Sequence, residues 1–221
     1  MSQTRSDQIK AASAERREQQ KGELERTILE AATQLFEENG YENFSLRQVA
    51  LAIGYTPTTI YLYFKDKDDL LLHVAYDGFK LFGESLQAAY DSADNTLERL
   101  HAAGWAYFDF AMSHPIHYQL MFMQRGDFLT QKPPGYEAII DSFGVLERII
   151  HEGVEEGILV PGEVRNHSAL IWASVHGVVS LALSGSHLSY EEAKGLFALQ
   201  QTAIKRAFCL QPDSEQSLSS G

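Results

Sequence analysis

Hydroxyl-bearing side chains cluster in the segment TPTTIYLYF, residues 56–64. A helix over this segment would bury Ile60 and Phe64, which are about one turn apart. Its exposed side then carries Thr58, Thr59, Tyr61 and Tyr63. Hydroxyl and methyl groups can contact base edges, thymine methyls and phosphate oxygens. Because Thr and Tyr are mediocre helix formers, the pattern predicts a DNA recognition helix; the alternative is an ordinary helix surface with an aromatic pair for packing.

Two short helices joined by a tight turn would position these side chains. Ser45 begins the first of them in a capping-box pattern, and Gly54 ends it. Thr56 followed by Pro57 is typical of an N-cap and a first helical residue, so the second runs from there to about Phe64. Two short helices with a glycine turn between them predict a helix-turn-helix.

A longer helix precedes this pair, and a polar segment precedes that helix. Apolar residues recur at three- and four-residue spacing from Glu23 until Asn39 and Gly40, which end the helix. Residues 1–22 mix basic and polar residues and lack a periodic apolar face. They are interpreted as a mobile arm, which is either a tail without a role or a segment that contacts phosphates or the minor groove.

The stretch between Thr27 and Leu71 resembles the TetR family of bacterial repressors. From residue 28 it reads ILEAATQLFEENGYENFSLRQVALAIGYTPTTIYLYFKDKDDLL. The resemblance implies phosphate contacts by Ser45, Arg47, Tyr61 and Lys67. It implies contacts in the DNA groove by Thr56, Thr58, Thr59 and Tyr63. The family frequently has histidine at the position of Tyr63 and glycine at that of Thr58, so the resemblance does not give the operator sequence.

The remainder of the chain is predicted to be helical, and the fold class to be all-α. A long helix follows Asp66 and Asp69, and no segment shows convincing period-two alternation. Turn residues separate further helices at about 96–113, 115–123, 134–156, 164–185 and 190–209. The predicted organisation is an arm (1–22), a helix-turn-helix domain (23–68), a ligand-binding and dimerisation domain (69–210) and a disordered tail (211–221).

Bulky side chains in the middle helices predict a small-molecule site. The candidate ligand-binding residues are His101, Trp105, Phe108, Met112, Tyr118, Phe122, Phe143, Trp172 and His176. The alternative is that these residues only fill a core. The stretches HPIHYQLMF (114–122) and WASVHG (172–177) resemble a TetR subgroup named for its Trp-His-Gly signature. The resemblance implies a two-domain repressor with an effector of unknown identity, which we expect to be lipophilic or aromatic.

A stripe of small residues predicts the dimer interface. The stripe consists of Ala173, Gly177, Ser180 and Ser184, and small residues let two helices approach closely. The last helix, with Phe197 and Ile204, would complete a four-helix bundle across a two-fold axis. The alternative is a helical hairpin within one chain.

The charge distribution is compatible with DNA binding although the net charge is −12. Residues 1–67 hold nine Lys and Arg against ten Asp and Glu, a net charge of −1, which leaves −11 for residues 68–221. Lys and Arg supply most of the affinity for phosphates, so the acidic part is expected to lie away from DNA. A double-stranded operator, a small-molecule effector and a second copy of the chain are the expected partners.

Other features argue against further classes of function. The absence of a long apolar run or a hydrophobic signal segment predicts a cytoplasmic protein without a membrane partner. Cys209 is the single cysteine and excludes a cysteine zinc cluster, although a redox sensor stays an alternative. Pro115 between His114 and His117 argues against a metal site there. We expect no cofactor and no enzyme activity. The remaining alternatives are an activator, a regulator whose signal is a partner protein, and an interaction module.

Overall fold

The computed structural model describes residues 5–41, 43–123, 141–184 and 188–210. Within these ranges the chain forms α-helices and the fold class is all-α, as predicted. The helices are α1 (Arg5–Asn39), α2 (Leu46–Ala52), α3 (Pro57–Tyr61), α4 (Lys67–Asp91), α5 (Thr96–Ser113), α6 (Pro115–Phe122), α7 (Ser142–Glu155), α8 (Val164–Leu183) and α9 (Tyr190–Phe208). No helix of the described residues is long and apolar enough to span a membrane.

The first helix begins at Arg5, and the predicted start at Glu23 is wrong. The part of α1 before residue 23 is rich in Ala, Arg, Glu, Gln and Lys, which are strong helix formers. Its described side chains are exposed, and Gln19 donates a hydrogen bond of 3.0 Å to Glu23 one turn later. Apolar periodicity identifies only helices that bury a face, so this extension gave no such signal. Mobility of residues 1–22 stays a prediction.

Two further differences concern helix ends. Helix α3 ends at Tyr61, before the predicted end near Phe64, although the Tyr63 and Phe64 N–H groups still donate to the Ile60 carbonyl at 2.9 and 3.0 Å. The described part of the helix predicted over 134–156 is α7, which begins at Ser142. Residues 134–140 and the predicted tail, residues 211–221, lie outside the described residues.

The described chain divides into two compact units, the first ending at Tyr76 and the second beginning at Asp77. The division lies within α4, whereas the predicted domain boundary at residue 68 lies near its start; that functional boundary stays a prediction. In the first unit the apolar faces of α1, α2 and α3 and the first turns of α4 form the core. Its buried side chains include Ile28, Ala32, Phe36, Phe44, Leu46, Val49, Ile60, Phe64, Leu70 and Val74.

The second unit contains an aromatic core formed by α5, α6, α7, α8 and α9 with the later part of α4. Among the side chains it buries are Phe82, Tyr107, Phe108, Phe110, Tyr118, Ile149, Ile171, Val179 and Phe197. An isolated antiparallel bridge pairs Leu159, after α7, with Cys209 at the end of α9. This bridge ties the end of α9 to the connection between α7 and α8.

Candidate nucleic-acid interface and ligand sites

The hydroxyl groups of Ser45 and Thr56 cap the two short helices. The Ser45 Oγ accepts from the Gln48 N–H at 3.4 Å, which is the predicted N-cap contact. The same hydroxyl donates to the Gln48 Oε1 at 2.7 Å, so the Gln48 side chain bonds the hydroxyl of the capping residue. The Thr56 Oγ1 accepts from the Thr59 N–H at 3.3 Å and lies 3.0 Å from the Thr59 hydroxyl. Gly54, with φ of +73°, makes the turn between the helices. These contacts fix the start of the predicted recognition helix.

The segment over residues 56–64 buries the two side chains that its pattern predicted. Ile60 and Phe64 are buried, whereas Tyr61 is 54% exposed. Thr58 is exposed, and Thr59 and Tyr63 are half-buried. The hydroxyl groups therefore lie around the outer side of the segment. Sequence reasoning did not include one further side chain there, Leu62, which is 80% exposed.

Lys67, the first residue of α4, is held by Tyr41. Its ammonium donates to the Tyr41 carbonyl at 2.8 Å and lies 3.8 Å from the centre of the Tyr41 ring. The Tyr41 hydroxyl in turn donates to the Asp68 carboxylate at 2.5 Å. Sequence reasoning missed Tyr41, because no spacing rule connects a residue after α1 with the first turn of α4. Arg47, the other predicted cation for phosphates, is exposed on α2.

The predicted ligand-binding residues of the second unit do not form one site. Tyr118, which is buried, and His176, which is half-buried, meet in a polar cluster together with Tyr107, a buried residue that sequence reasoning missed. The two tyrosine hydroxyls are 2.9 Å apart, and the His176 Nδ1 lies 2.6 Å from that of Tyr118 and 3.1 Å from that of Tyr107. Tyr107 lies on a different face of α5 from the predicted residues His101, Trp105 and Met112, and only the fold brings it to α6 and α8.

Burial determines the protonation of this cluster. It lowers the pKa of the His176 imidazole, which favours the neutral ring. It raises the pKa of Tyr107 and that of Tyr118, so both phenols keep their protons. A neutral imidazole carries its proton on one of its two nitrogens, so the His176 Nδ1 either accepts from a tyrosine hydroxyl or donates to one, according to the tautomer.

Aromatic rings surround the polar cluster. The Trp172 ring stacks on that of His176, with centroids 5.0 Å apart and an interplanar angle of 22°. Phe122 lies 5.0 Å from Tyr118 and 6.0 Å from Phe82 between ring centroids. A set of flat apolar faces around a few hydroxyl and imidazole groups is typical of small-molecule sites.

His101 and Trp105 lie elsewhere, in a groove between α5 and α9 with a volume of about 660 Å³. The Trp105 Nε1–H donates to the His101 Nε2 at 3.0 Å. Leu97 contributes to the same wall, and Gln201 and Lys205 line the side of α9. This α5–α9 groove is a second candidate ligand site.

The other predicted ligand residues belong to neither place. Phe108 is fully buried and packs against Phe197 with 4.8 Å between ring centroids, so it is part of the core. Met112 packs half-buried against the core, and Phe143 is half-buried in the first turn of α7. Within the described residues no group of three or more His, Cys, Asp or Glu side chains could hold a metal ion.

Two of the predicted dimer residues are buried within the subunit. Phe197 is 0% exposed and Ile204 is 6% exposed there, so they offer little surface to a second chain, and their place in an interface stays a prediction. The spacing of α9 does not distinguish the face toward α5 from the outer face, where Leu196 and Leu199 are exposed. Both faces carry apolar side chains.

The small-residue stripe on α8 has the exposure that an interface needs. Ala173, Gly177 and Ser184 are exposed and Ser180 is half-buried. A Cβ atom at Gly177 would meet no atom of the described subunit within 4 Å. The subunit therefore gives no steric reason for glycine at this position. Leu170 and Leu181, also exposed on α8, add apolar surface.

Comparisons with known proteins relate both units to regulators. Residues 28–74 match the family model for bacterial regulatory proteins of the tetR family, and residues 100–203 match the tetracyclin repressor-like C-terminal domain. A fatty acid metabolism regulator protein of Bacillus subtilis (strain 168) is 25% identical over 155 residues, which cover 69% of this chain and 80% of that protein.

Solved structures show the same fold. A protein of unknown function from Rhodococcus sp. RHA1 has a TM-score of 0.70 and 25% sequence identity, over 85% of this chain and 96% of that one. The fatty acid degradation regulator FadR from Bacillus halodurans has a TM-score of 0.68 and 18% identity, over 81% and 93% of the two chains. At that identity the second likeness concerns the fold alone.

Proposed function

Because the chain belongs to the TetR family of DNA-binding transcriptional regulators, which are not enzymes, we propose that it is a ligand-released repressor. In this proposal a dimer binds a pseudo-palindromic operator, and a lipophilic or aromatic molecule lowers its affinity for DNA. The observation that carries the proposal is the capped segment of α3, which buries Ile60 and Phe64 and keeps its hydroxyl groups outside.

A dimer follows from the size of the recognition element. One short helix contacts too few base pairs to be selective, whereas two related by a two-fold axis read two half-sites. The exposed stripe of α8, with the exposed leucines of α9, is the surface that we assign to the partner subunit. Small side chains there allow the helix axes of two subunits to come close.

The ligand is proposed to be lipophilic or aromatic because aromatic side chains line both candidate sites. The polar cluster of Tyr107, Tyr118 and His176 has aromatic rings around it, and the α5–α9 groove has the Trp105 ring in its wall. The relative from Bacillus subtilis is named for fatty acid metabolism, which makes a fatty acid a reasonable first ligand to test. We also assign the C-terminal half to the Trp-His-Gly subgroup, since Trp172 and His176 stack one turn apart on α8.

The proposal is tested first on DNA. The purified full-length protein is used to select fragments from genomic and random duplex libraries. We expect an inverted repeat whose half-sites are about 10 base pairs apart, or a multiple of that distance, from centre to centre. In vitro transcription from a promoter that carries the selected site should fall when protein is added. Equal affinity for all fragments would reject selective binding, and increased transcription would identify an activator.

The second test locates the ligand. The chain contains two tryptophans, one at each candidate site, so Trp105→Phe and Trp172→Phe each leave one fluorescent reporter. Titration with sodium oleate and with 2-naphthoate should change the emission of one variant, and that variant identifies the site. A coupling of about 5- to 150-fold between ligand and operator is typical of such regulators. A molecule that binds tightly but leaves operator affinity unchanged is not the effector.

A further inference from the structure

One residue outside the predicted DNA contacts, Tyr41, reaches both residues that begin α4. Its carbonyl accepts from the Lys67 ammonium, its ring lies under that ammonium, and its hydroxyl donates to Asp68. We propose that Tyr41 is a positioning residue that holds the Lys67 ammonium ready for a DNA phosphate. This inference rests on the proposed function, in which Lys67 contacts the DNA backbone.

The local backbone places Tyr41 for this role. Gly40 has a φ of +68° and ends α1, and its N–H donates to the Phe36 carbonyl at 2.8 Å. Glycine adopts this left-handed conformation without a steric penalty, so the chain turns directly after α1. The turn brings Tyr41, which is 40% exposed, against the first turn of α4. The contact therefore joins the end of one helix to the start of another at the surface of the first unit.

The contact leaves the ammonium able to bind a phosphate. An ammonium group has three N–H donors, and the Tyr41 carbonyl accepts one of them. The ring attracts the positive charge through its negative face and occupies no donor. A free lysine side chain loses rotational freedom when it binds, whereas one that is already held loses less. Tyr41 should therefore increase the affinity that Lys67 supplies, in the same way for all DNA sequences.

The test is a double-mutant cycle between Tyr41→Leu and Lys67→Ala, with Tyr41→Phe as the matched control. Leucine keeps the carbonyl and apolar bulk but removes the ring, whereas phenylalanine keeps the ring and removes only the hydroxyl that bonds Asp68. Affinity for the selected operator and for a random duplex is measured at several salt concentrations. The melting temperature and the helical circular dichroism of each variant are measured in parallel.

Lys67→Ala should weaken binding to both duplexes by a similar factor and reduce the salt slope by about one unit. Tyr41→Leu should weaken both duplexes by about two- to tenfold, as expected when one lysine side chain must be ordered on binding. In the Lys67→Ala background the same change should have no further effect. Tyr41→Phe should bind as the unsubstituted protein does. In the free protein, the nuclear magnetic resonance signals of the Lys67 ε-methylene should be shifted upfield by the ring, and Tyr41→Leu should abolish that shift.

The outcomes distinguish the role of Tyr41 from the phosphate contact of Lys67 and from DNA binding itself. If Lys67→Ala leaves affinity unchanged, the phosphate role of Lys67 is wrong and the inference falls with it, while operator selection still tests DNA binding. If Lys67→Ala weakens binding but Tyr41→Leu weakens it equally in both backgrounds, Tyr41 acts through the stability of the fold and the positioning role is overturned. Tighter binding by Tyr41→Leu would show that Tyr41 withholds Lys67 from DNA, which also overturns it.

Discussion

Two hydroxyl groups of the helix-turn-helix cap helices, and the same hydroxyl groups can also contact DNA. Ser45 and Thr56 accept hydrogen bonds from backbone N–H groups at the start of α2 and α3. A hydroxyl has one donor and two acceptor sites, so a capping hydroxyl can still bind a phosphate oxygen or a base. Substitution of a capping residue would therefore change helix stability and DNA affinity together. Thr59 is better suited to a test of base contacts because it is not itself an N-cap.

Substitutions of Thr59 should separate hydroxyl contacts from methyl contacts. Thr59→Val keeps a methyl group and removes the hydroxyl, whereas Thr59→Ser does the reverse. If the hydroxyl bonds a base, Thr59→Val should cost about 1–3 kcal/mol at one position of each half-site, and Thr59→Ser should cost much less. Selection of bound DNA with each variant measures the preference at every position. A uniform loss on operator and random DNA would contradict a base contact.

The half-buried imidazole of His117 should make stability depend on pH. Burial, and to a lesser degree the nearby charge of His114, lowers the pKa of His117 from its ordinary value of 6.5 to about 4. The Asp77 carboxylate, 4.0 Å from the His117 Nε2, is at the limit of an ion pair and does not offset this burial. Between pH 6.5 and 4 the unfolded chain binds the proton more readily than the folded chain. The free energy of unfolding should therefore decrease on acidification, by up to about 3 kcal/mol below pH 4.

Chemical denaturation between pH 7 and 4 measures this effect. His117→Asn should be less stable at pH 7, because it changes a packed side chain, but its stability should fall less steeply as the pH is lowered. The control is His151→Asn, since the His151 side chain is exposed and its substitution should keep the steep dependence. An unchanged pH dependence in His117→Asn would assign the acid sensitivity to other groups.

At the level of helices, the cap of α9 makes a clear stability prediction. Ser189 and Glu192 form a capping box: the Ser189 Oγ accepts from the Glu192 N–H at 3.3 Å, and the Ser189 N–H donates to the Glu192 carboxylate at 2.8 Å. Ser189→Ala should reduce the free energy of unfolding by about 1 kcal/mol. For a chain of this length the loss corresponds to about 2–4 °C in melting temperature. Thr27→Ala, a change at an exposed position within α1, should have little effect and serves as the control.

The helices could be predicted wherever they bury one face and end at a cap or a glycine. The ends of α5 and α6 agree closely with the sequence pattern because Asn95 caps one and Pro115 begins the other. The extension of α1 before Glu23 was missed for the opposite reason, since it buries no face. Its helical structure depends on the intrinsic propensity of its residues, a weaker signal than apolar periodicity.

The ligand site could be predicted less well, because helical spacing does not determine which helices meet. Trp105 and Tyr107 are two positions apart on α5, yet one lines the α5–α9 groove and the other bonds Tyr118 of α6. Likewise, Phe197 carries the same apolar character as Leu199 but faces the core. The sequence shows that a helix has an apolar residue at a given angle, and only tertiary packing shows what that residue contacts.

For the molecule as a whole, the distribution of charge favours contact with DNA through the helix-turn-helix. Residues 68–221 carry a net charge of −11 against −1 for residues 1–67, so electrostatic repulsion from phosphates is weakest for the helix-turn-helix. A ligand bound in the second unit can release DNA only if it binds one of two states of the proposed dimer more tightly. By the same linkage, operator DNA must weaken ligand binding by the same factor.

The last prediction concerns Gly177 and the assembly of two subunits. Glycine within a helix costs about 1 kcal/mol relative to alanine, and a Cβ at Gly177 would meet no described atom of its own subunit within 4 Å. In the proposed dimer, contact with a second subunit would give the steric reason for this glycine. Gly177→Leu should therefore force the paired helices apart and cost about 1–3 kcal/mol at each copy of the contact. Sedimentation should show a shift toward monomer, with helical circular dichroism retained and with weaker operator binding because the half-sites are no longer engaged together.

Gly22→Leu is the matched control, since Gly22 is also helical and exposed without neighbours at its Cβ, and it should leave the dimer intact. If Gly177→Leu dimerises with the dissociation constant of the unsubstituted protein, the α8 stripe is not the subunit interface.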